Sequence, residues 1–406
     1  MRDYPLAFYI ALDGNGVNGL EGMAGMCLFL FNPSDDSYAW KIVYYDGIAA
    51  GHACAINPSA TSGFLGNAGQ HLLFFDPVTL EETARISTLR FETPRTSLHG
   101  STHLAWLNDE EFITAIGAHF YRFSLARLEE PKRLEPHGVK LPHAMKLTRS
   151  GRYLCYGSMD SPADGRRGEA CHVGVRDMQT GDIRIVPLPA TCWHVLPHKQ
   201  QELFYAISFR VVPQDHQDYH EWGMAYLKEY VFEIDPAKGQ VVRHWATGRE
   251  TPAHINSDIT MSDNELIFCN GGSQSVVFLD LESLARWRII DERAGLAELG
   301  SRPREVATQL YDTFARGNVF GNSQHFLGAL RVSRGSLLDS IYACQLSADQ
   351  KLLFTANRGL NHISIYNYPD NSLRLRVPMP ELQEFVPFLS PNADPRLGFH
   401  HAALVG

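Results

Sequence analysis

His143-Ala-Met-Lys-Leu-Thr148 is a histidine followed by a short apolar-rich strand and a polar stop. The same opening stands at His52-Ala-Cys-Ala-Ile-Asn57 and at His103-Leu-Ala-Trp-Leu-Asn108. It returns at His194-Val-Leu-Pro197 and at His254-Ile-Asn-Ser-Asp-Ile259. Tyr342-Ala-Cys-Gln-Leu-Ser347 keeps the strand and exchanges the histidine for tyrosine, and His401-Ala-Ala-Leu-Val-Gly406 is the last copy. Successive copies lie 51, 40, 51, 60, 88 and 59 residues apart. A period of roughly 40 to 50 residues with several short strands in each repeat is the signature of a propeller. Six of the seven copies carry an imidazole at the same repeat position.

The residues between the copies supply the other strands of each blade. Before the first copy lie three strand-like runs, at 6–12, 26–31 and 39–45, separated by Gly-Asn-Gly (14–16) and Asn-Pro-Ser-Asp-Asp (32–36). Such polar, glycine-containing breaks are turn chemistry between antiparallel strands. The three runs lack an inner strand, and His401–Val405 is an inner strand without followers. Joined, they complete one four-stranded blade and leave the ring no free end. The expectation is an all-β, seven-bladed β-propeller occupying residues 1–406 as a single domain, closed by N-terminal strands pairing with the C-terminal strand.

Two insertions are expected. Residues 212–230, in blade four, are polar and aromatic and read as a loop. Residues 281–316 carry Leu284, Ala285, Trp287, Leu296, Leu299, Val306, Leu310 and Phe314 among charged residues. That spacing predicts a helical insertion between blades five and six.

The formal net charge of −9, with no dense Lys/Arg run, argues against a nucleic-acid partner. No stretch approaches the ~20 apolar residues of a membrane span. The N-terminal residues lack a secretory signal, and the seven scattered cysteines contain no CxxC pair. Reduced thiols and a cytoplasmic location are the expectation.

The stretch Leu346-Ser-Ala-Asp-Gln-Lys-Leu-Leu-Phe-Thr-Ala-Asn-Arg-Gly359, followed by Ile363-Ser-Ile-Tyr366, resembles the YVTN and lactonase-like group of seven-bladed propellers. Weaker matches lie at 147–153 and 74–86. This resemblance implies architecture and no particular reaction, because the group includes lactonases, a lyase, electron-transfer subunits and scaffolds. The order of His143, His194, His254 and the Gly398-Phe-His-His401 ending is similar to carotenoid-cleaving oxygenases, which hold iron on the propeller axis with four histidines.

In a propeller the first strand of each blade is innermost, so a side chain at its start faces the axial channel. Imidazole is the commonest metal ligand, and three or four suit iron, manganese, copper or zinc. The expected ligands are His143, His194, His254 and His401, with His52 and His103 as further ligands or acid–base groups. The ordinary role for any one of them is a hydrogen bond to a neighbouring blade; six together point to a centre. The expected cofactor is a divalent metal ion, iron first, then manganese or another first-row metal. The expected function is a metal-dependent enzyme, of oxygenase or lyase/isomerase type, acting on a small organic substrate at the histidine-lined axial site. The alternatives are a non-catalytic scaffold that docks a protein partner through its insertions, and a metal-free lyase or cyclase using histidine acid–base catalysis.

Weaker candidates are His216 and His220, whose zinc-like spacing lacks a third ligand, so that a solvated loop explains them better. Asp258 and Asp339 lie near inner-strand starts and are candidates to orient an imidazole. Gln324-His325 is a candidate for the channel mouth. Trp193 and Phe399, each just before a ring histidine, are candidates to wall a pocket, with packing between blades the default.

Overall fold

A computed structural model describes residues 4–13, 24–48, 51–67, 69–93, 102–158, 171–189, 192–208, 230–246, 256–270, 275–292, 341–386, 388–389 and 395–406. They form seven four-stranded antiparallel sheets. Six sheets are built from four consecutive strands each. The seventh places Phe399–Val405 beside Leu6–Leu12, followed by Gly25–Asn32 and Ser37–Tyr44. Ala7 pairs with Val405 and Ile10 with Ala402 across the join. The ring is therefore closed by hydrogen bonds between the first and last strands.

Apolar patterning explains why the sheets stack radially. The second and third strands of a blade are covered on both faces by neighbouring blades, so they read as continuous apolar runs. Leu352–Asn357 is buried throughout, as is Gly63–Asn67. Outer strands such as Ser37–Tyr44 are mostly exposed or partly covered, with only Ile42 buried in this one. Each of the seven seams between blades has its own apolar cluster. At the seam between blade six and the closing blade, Phe8 lies against Phe354 with ring centroids 5.5 Å apart. Fully burying such a ring is worth about 1.5–3 kcal/mol, and the repetition of that burial at every seam favours closure.

Six of the seven outer hairpins share one turn. Asp76 accepts hydrogen bonds from the Val78 and Thr79 amides, and Leu80, at positive φ, returns its N–H to the Asp76 carbonyl at 2.8 Å. The same geometry links Asn32 to Asp36, Asp177 to Gly181, Asp235 to Gly239, Asp280 to Leu284 and Asn367 to Asn371. This turn corrects the expected helical insertion at 281–316. Leu281 and Leu284 are spaced like a helix because the turn tucks both inward, to 7% and 4% exposure. Trp287–Asp291 then forms the outer strand of blade five. Residues 293–316 lie outside the described residues. The expected loop insertion 212–230 also needs amending at its end, because Tyr230 begins the strand Tyr230–Asp235; residues 212–229 lie outside the described residues.

Candidate metal centre

Among the described residues, four inner strands are not regular where they carry the ring residues, whereas His194 pairs in register with Ile207. In blade one the pairing jumps from Gly51–Asn67 to Ala53–Gly66, which leaves His52 as the extra residue of a bulge. Tyr342 occupies the same place between the pairs Ile341–Asn357 and Ala343–Ala356. Blade three shifts register across His143 and Ala144, and the closing blade across His400 and His401. A bulge releases a side chain from strict alternation and re-aims it. Here it turns ring side chains of several blades toward one volume.

Two glycines make the approach of neighbouring blades possible. A Cβ on Gly66 would lie 1.9 Å from the Thr102 carbonyl oxygen, just before His103. One on Gly157 would lie 2.1 Å from the Trp193 oxygen, just before His194. Each glycine stands fourteen residues after the ring histidine of its own blade, His52 or His143.

The imidazoles of His52, His103, His143 and His401 each offer a nitrogen, and the four nitrogens all lie within 4.8 Å of one another. His52 Nε2 is 2.6 Å from His143 Nε2. Imidazole nitrogens about 2.1 Å from a first-row metal stand roughly 3 to 4 Å apart, so small side-chain shifts suffice to fit an ion. The rings of His194 and His401 are 4.6 Å apart, and those of His194 and His143 5.0 Å. His400 lies between His52 and Tyr342, with centroids at 4.3 and 4.2 Å.

Two of the four imidazoles have their outer nitrogen held in the manner of metal-ligating histidines. His143 Nδ1 donates to the Trp193 carbonyl at 3.0 Å, which leaves Nε2 with its lone pair toward the group. His103 Nδ1 is 3.1 Å from the Thr102 hydroxyl. Both ring nitrogens of buried His401 lack a hydrogen-bond partner among the described residues. An unmet buried polar group costs about 1–3 kcal/mol, which an ion bound there would recover.

Burial holds the rings neutral, as ligation requires. It brings His52 down to about 3, and burial with the charges of His52 and Lys146 brings His194 to about 3. His103, His143, His400 and His401 are lowered well below the usual imidazole value by burial and then by neighbouring charges, chiefly other imidazoles.

Of the expected ring residues, the structure brings together His52, His103, His143, His194 and His401; His254 lies outside the described residues. The four-nitrogen group draws in His52 and His103, with His194 beside it. His400, which the repeat position alone does not single out, joins the cluster because the closing-blade bulge turns both neighbouring imidazoles inward. Among the described residues Asp258 bonds no ring histidine. Its carboxylate accepts from the Ile259 and Cys344 amides and from Gln345 Nε2, and burial raises it to about 7. Trp193 does wall the centre, its ring 5.3 Å from that of His143. Phe399 instead packs in the apolar seam between blade six and the closing blade. His216, His220, Gln324, His325 and Asp339 lie outside the described residues.

All seven cysteines are free thiols. No helix among the described residues is long and apolar enough to cross a membrane. The sequence matches no family model and no curated protein. Solved structures share the architecture. Hydrazine synthase of Kuenenia stuttgartiensis is similar over 81% of this chain and 86% of its own, with 12% identity and a TM-score of 0.54. Dihydro-heme d1 dehydrogenase NirN, solved with DHE, is similar over 92% of this chain and 73% of its own, with 9% identity and a TM-score of 0.50. At such identities the likeness is one of fold: this chain has the seven-bladed β-propeller architecture.

Proposed function

We propose that the chain is a metal-dependent enzyme whose ion is held on the propeller axis by His52, His103, His143 and His401. The observation that carries this reading is the convergence of four neutral imidazole nitrogens within 4.8 Å, one from each of four blades. Side chains packed only for stability rarely leave a buried ring such as His401 without polar partners. An all-imidazole set suits iron, copper, zinc or nickel over calcium or magnesium. Iron is proposed first, as the similarity to carotenoid-cleaving oxygenases implies, with manganese or another first-row metal next. The ion would supply Lewis-acid or one-electron chemistry. The remaining imidazoles, His194 and His400, would hold or move a proton at a small organic substrate, a reading supported by their rings lying 4.3 to 5.0 Å from those of His52, His143 and His401. A redox-active ion makes the reaction an oxygenation, and a redox-inert one a lyase or hydrolase step. The lactonase-like resemblance fits the architecture and leaves the reaction open.

The test is metal analysis of protein purified without a polyhistidine tag and reconstituted separately with iron, manganese, copper and zinc. One ion per chain is expected, falling at least tenfold in His401→Ala and His143→Ala. Failure of all four metals to bind stoichiometrically would overturn the proposal. Turnover by the metal-free protein would instead favour acid–base catalysis by His194 and His400.

A further inference from the structure

A cleft of about 550 Å³ opens between blades two and three. It lies on the face of the ring opposite the ends of the inner strands that carry the histidines, because its walls include Leu107, just past the end of the inner strand Leu104–Trp106, and the hairpin turn Gln179, Thr180 and Gly181. One side is Lys132–Pro136, the last strand of blade two, whose outer edge carries no neighbour among the described residues. The floor is apolar, with Leu107, Leu134 and Met178 packed on the seam between the two blades.

The rim is basic on a chain whose net charge is −9. Arg122, Lys132, Arg133 and Arg176 line the cleft. Two of these cations are neutralised from within. Arg122 pairs with Glu111 at 2.7 Å, and Arg176 with Glu135 at 2.8 Å. Lys132 and Arg133 make no close ion pair with a carboxylate among the described residues; the Lys132 charge reaches Glu135 only at longer range, and Arg133 sets its guanidinium 2.9 Å from His119 Nε2. Charged residues on an edge strand commonly serve to block chance pairing. That role needs neither an apolar floor nor a facing wall, and this cleft has both.

We infer that the cleft binds an extended acidic segment of a partner protein, laid along the edge of Lys132–Pro136. Backbone hydrogen bonds to the edge strand would give it affinity, and alternate side chains would meet different surroundings. Apolar residues would rest on Leu107, Leu134 and Met178, and carboxylates would meet Lys132 and Arg133. Two cations free of close ion pairs among the described residues are too few for a nucleic-acid backbone, whose binding rests on many phosphate contacts.

Fluorescence anisotropy with a labelled peptide of alternating glutamate and leucine tests this, against the same peptide with lysine for glutamate. Saturable binding of the glutamate peptide is expected, weakening several-fold between 50 and 500 mM salt. Lys132→Glu/Arg133→Glu should lower affinity at least tenfold with the unfolding midpoint unchanged. Should the double variant fail to fold, Lys132→Ala should still weaken binding about threefold. Equal binding of the lysine peptide, unchanged affinity in the folded variants, or full displacement of the glutamate peptide by millimolar inorganic phosphate would overturn the inference. The last result would mark a small-anion site.

Discussion

Gly66 and Gly157 show how little room the centre leaves around its supports. Each faces a backbone carbonyl of the neighbouring blade so closely that a β-carbon would stand only 1.9 or 2.1 Å from its oxygen, a distance no side chain tolerates. Gly157→Ala must push the Trp193 carbonyl away, and that carbonyl is the acceptor that orients His143. Overpacking of this kind costs about 1–3 kcal/mol, so the variant should fold with a lower melting temperature. Its metal affinity should fall by about 10- to 100-fold, the usual effect of losing a partner that orients a ligand. Titration of the folded variant with metal checks this; unchanged affinity would mean that His143 is oriented by something other than Trp193. The repeat makes the ring histidines legible as residues sharing one position. It does not show His400, because a strand with strict alternation would turn only one of two neighbouring imidazoles inward. Glycines stand opposite the bulges of blades one and three, but Ala11 stands opposite that of the closing blade, which leaves it without a sequence mark.

Blade five and blade six are tied together by a polar cluster as well as an apolar seam. Glu292, just beyond the outer strand Trp287–Asp291, accepts hydrogen bonds from Asn357 Nδ2 at 2.8 Å, His362 Nε2 at 2.9 Å and the Tyr366 hydroxyl. Its side chain is wholly buried. Burial alone would raise its pKa, but the bonds from His362, Tyr366 and Asn357 and the His362 charge bring it down to about 2, from an ordinary 4.5. A carboxylate depressed by folding stabilises the fold above its unfolded pKa, and that stability is lost as pH falls toward the folded value. Glu292→Gln should therefore cost about 2–4 kcal/mol at pH 7 and flatten the loss of stability between about pH 4.5 and 2. Urea unfolding of both proteins at pH 7 and pH 3 checks the sign; equal sensitivity to acid would remove Glu292 from the account. The outer strand beside it reads as a helix when spacing alone is considered. Leu281 and Leu284 are three residues apart in a turn, Ile290 is buried in the following strand, and periodicity cannot distinguish that sequence of elements from a helix.

At the scale of the molecule the ring is held by seven apolar seams and one strand-to-strand join. Removing residues 400–406 takes away the inner strand of the closing blade. It bares the edge of Leu6–Leu12 and uncovers part of the seam around Phe8 and Phe354. The truncated protein should aggregate at concentrations where the full chain is monodisperse, as light scattering would show. A truncated chain that unfolded cooperatively at the same urea concentration would show that the seams alone hold the ring. The closure is legible because Leu6–Leu12 and His401–Val405 are each incomplete without the other. Adjacent sheets need not share hydrogen bonds, so nothing in the sequence sets how closely their ring side chains approach.

Where an inner strand is bulged near its start, as in blades one and six, the bulge sits on a sheet of its own, and the sheets meet through apolar packing that does not depend on which side chain the bulge presents. A donor can therefore be exchanged in one blade while the backbone of the other six stays as it is. Tyr342 is such an exchange: it keeps the bulge and the stacking on His400, and it offers a phenol where the other blades offer imidazole. Divergence of this scaffold toward a different ion can then proceed by single codon changes, one blade at a time. A designer can follow the same route, drawing Cys, Asp or Tyr for each position as independent choices from a seven-slot palette.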